Sequence, residues 1–82
     1  MLDTAIAGRE ELDTFCKRVS ENIKRIRKEK NVSQFEMALH LGQKSAAFYG
    51  KAESGAQGKR FNLEHLYMIA KALGVEVAEL VG

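Results

Sequence analysis

The sequence predicts an all-α fold: a compact five-helix domain whose first helix is extended at its N-terminus. Three observations carry this. Apolar residues recur at three- and four-residue spacing in two long stretches. Helix-capping residues and glycines punctuate the chain between them. None of the 82 residues is a proline, so nothing breaks a helix from within.

The first helix is expected from about Glu10 to Lys30, with Leu12, Phe15, Val19, Ile23 and Ile26 on one apolar stripe. Asn31 can end it in a left-handed turn. Residues 1–13 read as a partly helical N-terminal extension and 14–82 as the domain proper.

The second helix opens at Ser33, an N-cap with Glu36 three residues on, which completes a capping box. Val32 and Met37 stand where a hydrophobic staple would. This helix runs from Gln34 to about Leu41 and stops at Gly42, because glycine takes the positive φ that other residues resist. A third helix is expected from Ser45 as N-cap to Glu53 or Ser54, ending at Gly55. A loop carrying Lys59 and Arg60 follows. Asn62 caps a fourth helix with the stripe Leu63, Leu66, Ile69, Ala70 and Leu73, closed by Gly74 with Val75 packing back. Val77, Leu80 and Val81 mark a short fifth helix.

The hydrophobic content of 45% argues for a folded domain rather than a disordered tail. No apolar run approaches the ~18 residues of a membrane span, and no signal-peptide layout opens the chain. The single cysteine, Cys16, forms no internal disulfide, which fits a cytoplasmic protein. Net charge is only +2, but its distribution is uneven. Between Lys17 and Lys30, seven cations face Glu21 and Glu29, so that segment carries +5, while the first sixteen residues carry −3. A concentrated positive field steers anionic ligands better than the same charge spread evenly.

The unit that carries the chemistry is a helix-turn-helix over about 34–54. Ala38 is small where its two helices must cross, and Met37 and Leu41 point inward. Together with Asn22-Ile-Lys-Arg-Ile-Arg-Lys-Glu-Lys, the Ser33-Gln34 helix start, Leu41-Gly42 and Ile69-Ala-Lys-Ala-Leu-Gly-Val, this resembles the lambda-repressor/Cro/Xre-like helix-turn-helix family. The resemblance covers roughly Phe15 to Val81. It implies a lambda-repressor-like domain that binds double-stranded DNA as a sequence-specific transcriptional regulator. A homodimeric repressor or controller protein is the expected form, with Val77, Leu80 and Val81 at the dimer surface. In such domains the second helix of the pair lies in the major groove, where every base pair shows a distinct pattern. Gln34 matches the family glutamine that contacts backbone or base.

Two registers fit the third helix. Ungapped alignment puts Phe48 in the core and drives Lys51 inward. One extra residue in the turn puts Tyr49 and Ala52 inward and aligns Glu53 with the family glutamate. The second avoids a buried, unpaired lysine and is preferred. It leaves Ser45, Ala46, Ala47, Gly50, Lys51 and Ser54 facing the groove, with Gln43 and Lys44 in the turn and Lys59 and Arg60 beyond. This surface has no arginine for guanine and no amide for adenine within the helix itself. Gly50 also weakens the helix by about 1 kcal/mol relative to alanine.

Phe35 and Leu39 occupy positions that the family leaves polar. They are expected to lie under the N-terminal extension, with Leu2 and Ile6 as the cover; the other reading is a partner surface, on a protein-interaction module of the same fold with weak DNA readout. Phe48 poses the same choice. His40 and His65 have no metal-ligand spacing, and Cys16, Met37 and Met68 read as packing residues. No acid–base pair, nucleophile triad or phosphate loop marks an enzyme. No metal, cofactor or small-molecule ligand is called for.

Overall fold

The computed structural model describes Ile6 and residues 8–82. It contains five α-helices: α1 (Arg9–Glu29), α2 (Gln34–His40), α3 (Ala47–Ser54), α4 (Leu63–Leu73) and α5 (Val77–Val81), with one 3-10 turn at Ala56–Gly58. Among the described residues there is no strand. The expected all-α, five-helix architecture is what forms.

The helix ends follow the capping chemistry. Ser33 Oγ accepts from the Glu36 N–H, and a Glu36 carboxylate oxygen accepts from the Ser33 N–H, both at 3.0 Å. Asn62 makes the equivalent box with His65, whose Nδ1 accepts from the Asn62 N–H at 3.1 Å. His65 is therefore a capping residue, a role its sequence position did not reveal. At the C-termini, Asn31 (φ 58°) and Gly42 (φ 74°) turn left-handed. Val32 N–H then reaches back to Arg27 O, and Gln43 N–H to Ala38 O, closing the last turn of each helix.

α3 starts later than expected. Ala46, not Ser45, is its N-cap: the Gly50 N–H donates to Ala46 O at 2.8 Å. Ser45 still contributes, because its Oγ accepts from the Ala47 N–H at 3.3 Å.

One core joins all five helices. Val19, Ile23 and Ile26 of α1 meet Met37 and Ala38 of α2, Tyr49 of α3, Ile69, Ala70 and Leu73 of α4, and Leu80 of α5. Val32 is partly buried against this core, of which the buried Met37 is a member. α1 packs against α3, α4 and α5, and α2 packs against α3 and α4. Two side-chain hydrogen bonds seat α1. Asn22 Nδ2 donates to Leu80 O at 3.0 Å, and Ser20 Oγ donates to Ala52 O at 3.3 Å.

Several side chains expected in the core are not there. Leu12 and Phe15 begin the α1 stripe, on a helix about 31 Å long, but they are exposed, whereas Val19, Ile23 and Ile26 further along it are buried. Leu63, at the first position of α4, is 80% exposed; its side chain points back beyond the packed body. Met68 is also exposed. It precedes Ile69 by one residue, a rotation of ~100° off the buried stripe. The cover expected over Phe35 and Leu39 does not form among the described residues: Ile6 is 92% exposed, and the two side chains are 52% and 54% exposed. Leu2, the other expected cover, lies outside the described residues.

Candidate nucleic-acid interface

The turn between α2 and α3 sets the register of everything that follows. Tyr49 and Ala52 are fully buried, and Lys51 is exposed. This is the register with the longer turn, and it follows from the cost of burying an unpaired cation. Phe48 is half-buried, its ring 5.5 Å from that of His65.

The outer face of α3 consists of Ala47, Lys51 and Ser54, at positions i, i+4 and i+7, all exposed. Lys44 and Ser45 are exposed in the turn, and Ala46 and Gly50 are half-buried at the edges of that face. Gln43 is half-buried, and its side-chain carbonyl oxygen is buried without a hydrogen-bond partner. Lys59 and Arg60 are exposed beyond the 3-10 turn. Arg60 is not free: its guanidinium pairs with the Asp13 carboxylate of α1.

Behind this surface lies a buried polar network. Arg27 Nε and Nη2 donate to the two carboxylate oxygens of Glu53 at 2.9 Å each, and Arg27 Nη1 donates to Val32 O at 2.8 Å. Gln34 Nε2 donates to Glu53 Oε1 at 3.2 Å. Burial alone would push the Glu53 carboxyl up, but hydrogen bonds from Arg27 and Gln34 outweigh it and hold the group below its ordinary range. The Tyr49 hydroxyl is buried nearby, close enough to feel Glu53 but without a well-formed hydrogen bond. Burial, and then the Glu53 charge, push its ionisation up.

Gln34 lies across α3 as well. A Cβ at Gly50 would stand 3.1 Å from Gln34 Oε1, closer than ordinary packing allows. Glycine at this position therefore makes room for a side chain from α2.

A concave region of about 580 Å³ lies between α1 and the α3–α4 connection. Lys17, Lys24 and Lys59 line it, with Ser54 at the end of α3, while Asp13 and Glu21 sit among them. The basic stretch of α1 is less free than its composition implies. Arg27 is buried, Arg25 pairs with Glu29 at 3.3 Å, and the Arg18 guanidinium sits 5.3 Å from the Phe15 ring centroid.

A family model described as Helix-turn-helix matches residues 23–80. The chain belongs to the Xre/lambda-repressor-like helix-turn-helix family. Comparison with curated proteins and with solved structures finds no match. Membership makes this Xre-like domain a DNA-binding helix-turn-helix of the regulatory kind. α2 and α3 are the pair that defines the family, and the match ends within α5.

Sequence reasoning placed the outer face of α3 but missed the network behind it. Arg27 was counted with the surface cations of α1, although it follows Ile23 by four residues and so shares the buried stripe. That spacing was the available signal. Of the three C-terminal residues expected at a dimer surface, Leu80 is fully buried in the core of the domain. Val77 and Val81 are half-buried. Among the described residues no His, Cys, Asp or Glu cluster is arranged as metal ligands, and no helix is long and apolar enough to cross a membrane.

Proposed function

We propose that this domain is a sequence-specific transcriptional regulator that binds double-stranded DNA as a homodimer, with α3 in the major groove. The observation that carries this reading is the outer face of α3. Small side chains at Ala47 and Ser54 flank Lys51, and Lys44 stands at the N-terminal edge. A helix faced with small residues approaches base edges closely, and the major groove is wide enough to admit it. Ala46 and Ala47 suit thymine methyls, while Lys44, Lys51 and Lys59 suit phosphates. Lys17 and Lys24 extend the basic surface along the concave region beside α3.

A single α3 spans too few base pairs for useful specificity. Two-fold pairing places two such helices about 34 Å apart, one turn of DNA. Val77 and Val81, four residues apart on α5, are the remaining candidates for the contact between copies. The domain carries no enzymatic role in this reading.

The test is duplex affinity against salt, measured by fluorescence anisotropy. Each phosphate neutralised contributes about −0.9 to the slope of log K against log salt. Lys44→Ala and Lys51→Ala should each flatten that slope by about one. Unchanged slopes in both variants would remove α3 from the interface.

A second reading rests on Phe35 and Leu39, which stand exposed on α2 where the family leaves polar residues. It makes that face a protein-binding surface on the same fold. Phe35→Ser would then abolish an association seen by sedimentation while leaving duplex binding intact.

A further inference from the structure

We propose that the N-terminal half of α1 carries a contact surface for a second copy of this chain: two α1 helices lie antiparallel across Phe15, with Glu11 of each against Arg18 of the other. The surface is separate from Val77 and Val81, and the proposal stands whether or not those residues also join copies.

A shallow groove of about 370 Å³ runs along this part of α1, lined by Glu10, Glu11, Thr14, Phe15 and Arg18. All five residues are exposed. Glu11, Phe15 and Arg18 stand at positions i, i+4 and i+7, so they share one face of the helix. The Phe15 ring, 42% exposed, occupies the middle of that face. Carboxylates stand at one end of the groove and a guanidinium at the other.

The charges at the two ends are not used within the domain. Arg25 pairs with Glu29, Arg27 with Glu53, and Arg60 with Asp13. Among the described residues, neither Glu11 nor Arg18 has an ion-pair partner. They cannot satisfy each other, because two helical turns, about 10.5 Å of rise, separate them. The Arg18 guanidinium instead sits 5.3 Å from the Phe15 ring centroid, against the apolar middle of the groove.

A face that is acidic at one end, apolar in the middle and basic at the other is its own complement when turned end for end. The midpoint between Glu11 and Arg18 falls between Thr14 and Phe15. A two-fold axis there runs two copies antiparallel, sets each Glu11 against the Arg18 of the other copy, and brings the two Phe15 rings beside the axis. A parallel pairing would set like charges against each other. A uniformly acidic or uniformly basic partner would meet its own charge at one end of the groove. The charge pattern therefore selects a second copy. About two and a half turns of helix bury less than the ~800 Å² per partner of a standard stable interface, so the association is weak and falls as salt screens the ion pairs.

The experiment is sedimentation of the full chain without DNA over a range of concentration and salt. The wild-type chain should show an association that weakens as salt rises. Glu11→Arg and Arg18→Glu should each weaken it on the order of tenfold, with circular dichroism unchanged because both side chains are exposed. An equal mixture of the two variants should recover it, since one is then basic at both ends of the face and the other acidic at both ends. Glu11→Arg combined with Arg18→Glu in one chain should also recover it. Phe15→Ser should weaken it and should not be rescued by mixing. A dimer that both single variants leave intact belongs to another face of the domain; the proposal requires a further association that they remove. Single variants that sediment as the wild type does, or no recovery in the mixture and in the charge-exchanged chain, would overturn it.

Discussion

Arg27 and Glu53 meet fork to fork, two nitrogens against two oxygens at 2.9 Å, with side-chain exposures of 8% and 2%. The pair ties α1 to α3 and sits directly behind the outer face of α3. Removing one partner leaves the other charge buried without its match, which costs about 3–5 kcal/mol. Arg27→Ala should lose that much in urea denaturation. Arg27→Met combined with Glu53→Leu should recover most of the loss, since apolar replacement of a whole buried pair is often neutral. A loss under about 1 kcal/mol in the single variant would contradict a structural role for the pair.

Acid should expose the same link. The Glu53 carboxyl is lowered in the folded state from its ordinary value of 4.5. Its contribution to stability is therefore complete above that pH and is lost as pH falls through the depressed folded value. The urea midpoint of the wild-type chain should fall steeply below pH about 4. Arg27→Met/Glu53→Leu should show a shallower fall, and equal falls in both proteins would count against Glu53 as the group responsible.

Tyr49 gives the opposite sign at the alkaline end. Its ionisation is raised above the ordinary value of 10.0, first by burial and then by the Glu53 charge. The stability it contributes is full below that pH and declines as pH rises toward the folded value. Its hydroxyl is buried with no hydrogen-bond partner, so Tyr49→Phe removes an unsatisfied group. The variant should melt at or above the wild-type temperature, gaining up to about 1 kcal/mol, and should lose less stability above pH about 10. A marked loss of stability at neutral pH would show that the hydroxyl is paired after all.

Arg60 is held to α1 by Asp13, so the cation beyond α3 is partly spent before DNA arrives. Asp13→Asn should release it. Duplex affinity at low salt should rise, with the salt slope steeper by about one if Arg60 then reaches a phosphate. An unchanged slope would place Arg60 away from the backbone.

Much of the fold was legible because it rests on local rules. The Ser33–Glu36 box, the left-handed turns at Asn31 and Gly42, and the buried Ile23, Ile69 and Leu73 follow from capping chemistry and helical period. What was illegible depends on distance in the chain. Nothing local to Arg27 announces Glu53, 26 residues away. Nothing local to Gly50 announces the Gln34 side chain laid over it. Leu12 and Phe15 satisfy the stripe rule yet stay exposed, because periodicity marks a face and not how fully that face is covered. The outer-face positions of α3 were readable only after the register was chosen, and the cost of burying Lys51 made that choice.

The central claim is that the outer face of α3, with the start of α2, meets DNA. Amide chemical shifts of the labelled chain, followed as a selected duplex is added, test it directly. The largest changes should fall at Gln34 and between Lys44 and Ser54, with smaller ones at Lys59 and Arg60. Changes confined to Phe35, Leu39 and α5 would contradict it and move the functional surface to another side of the domain.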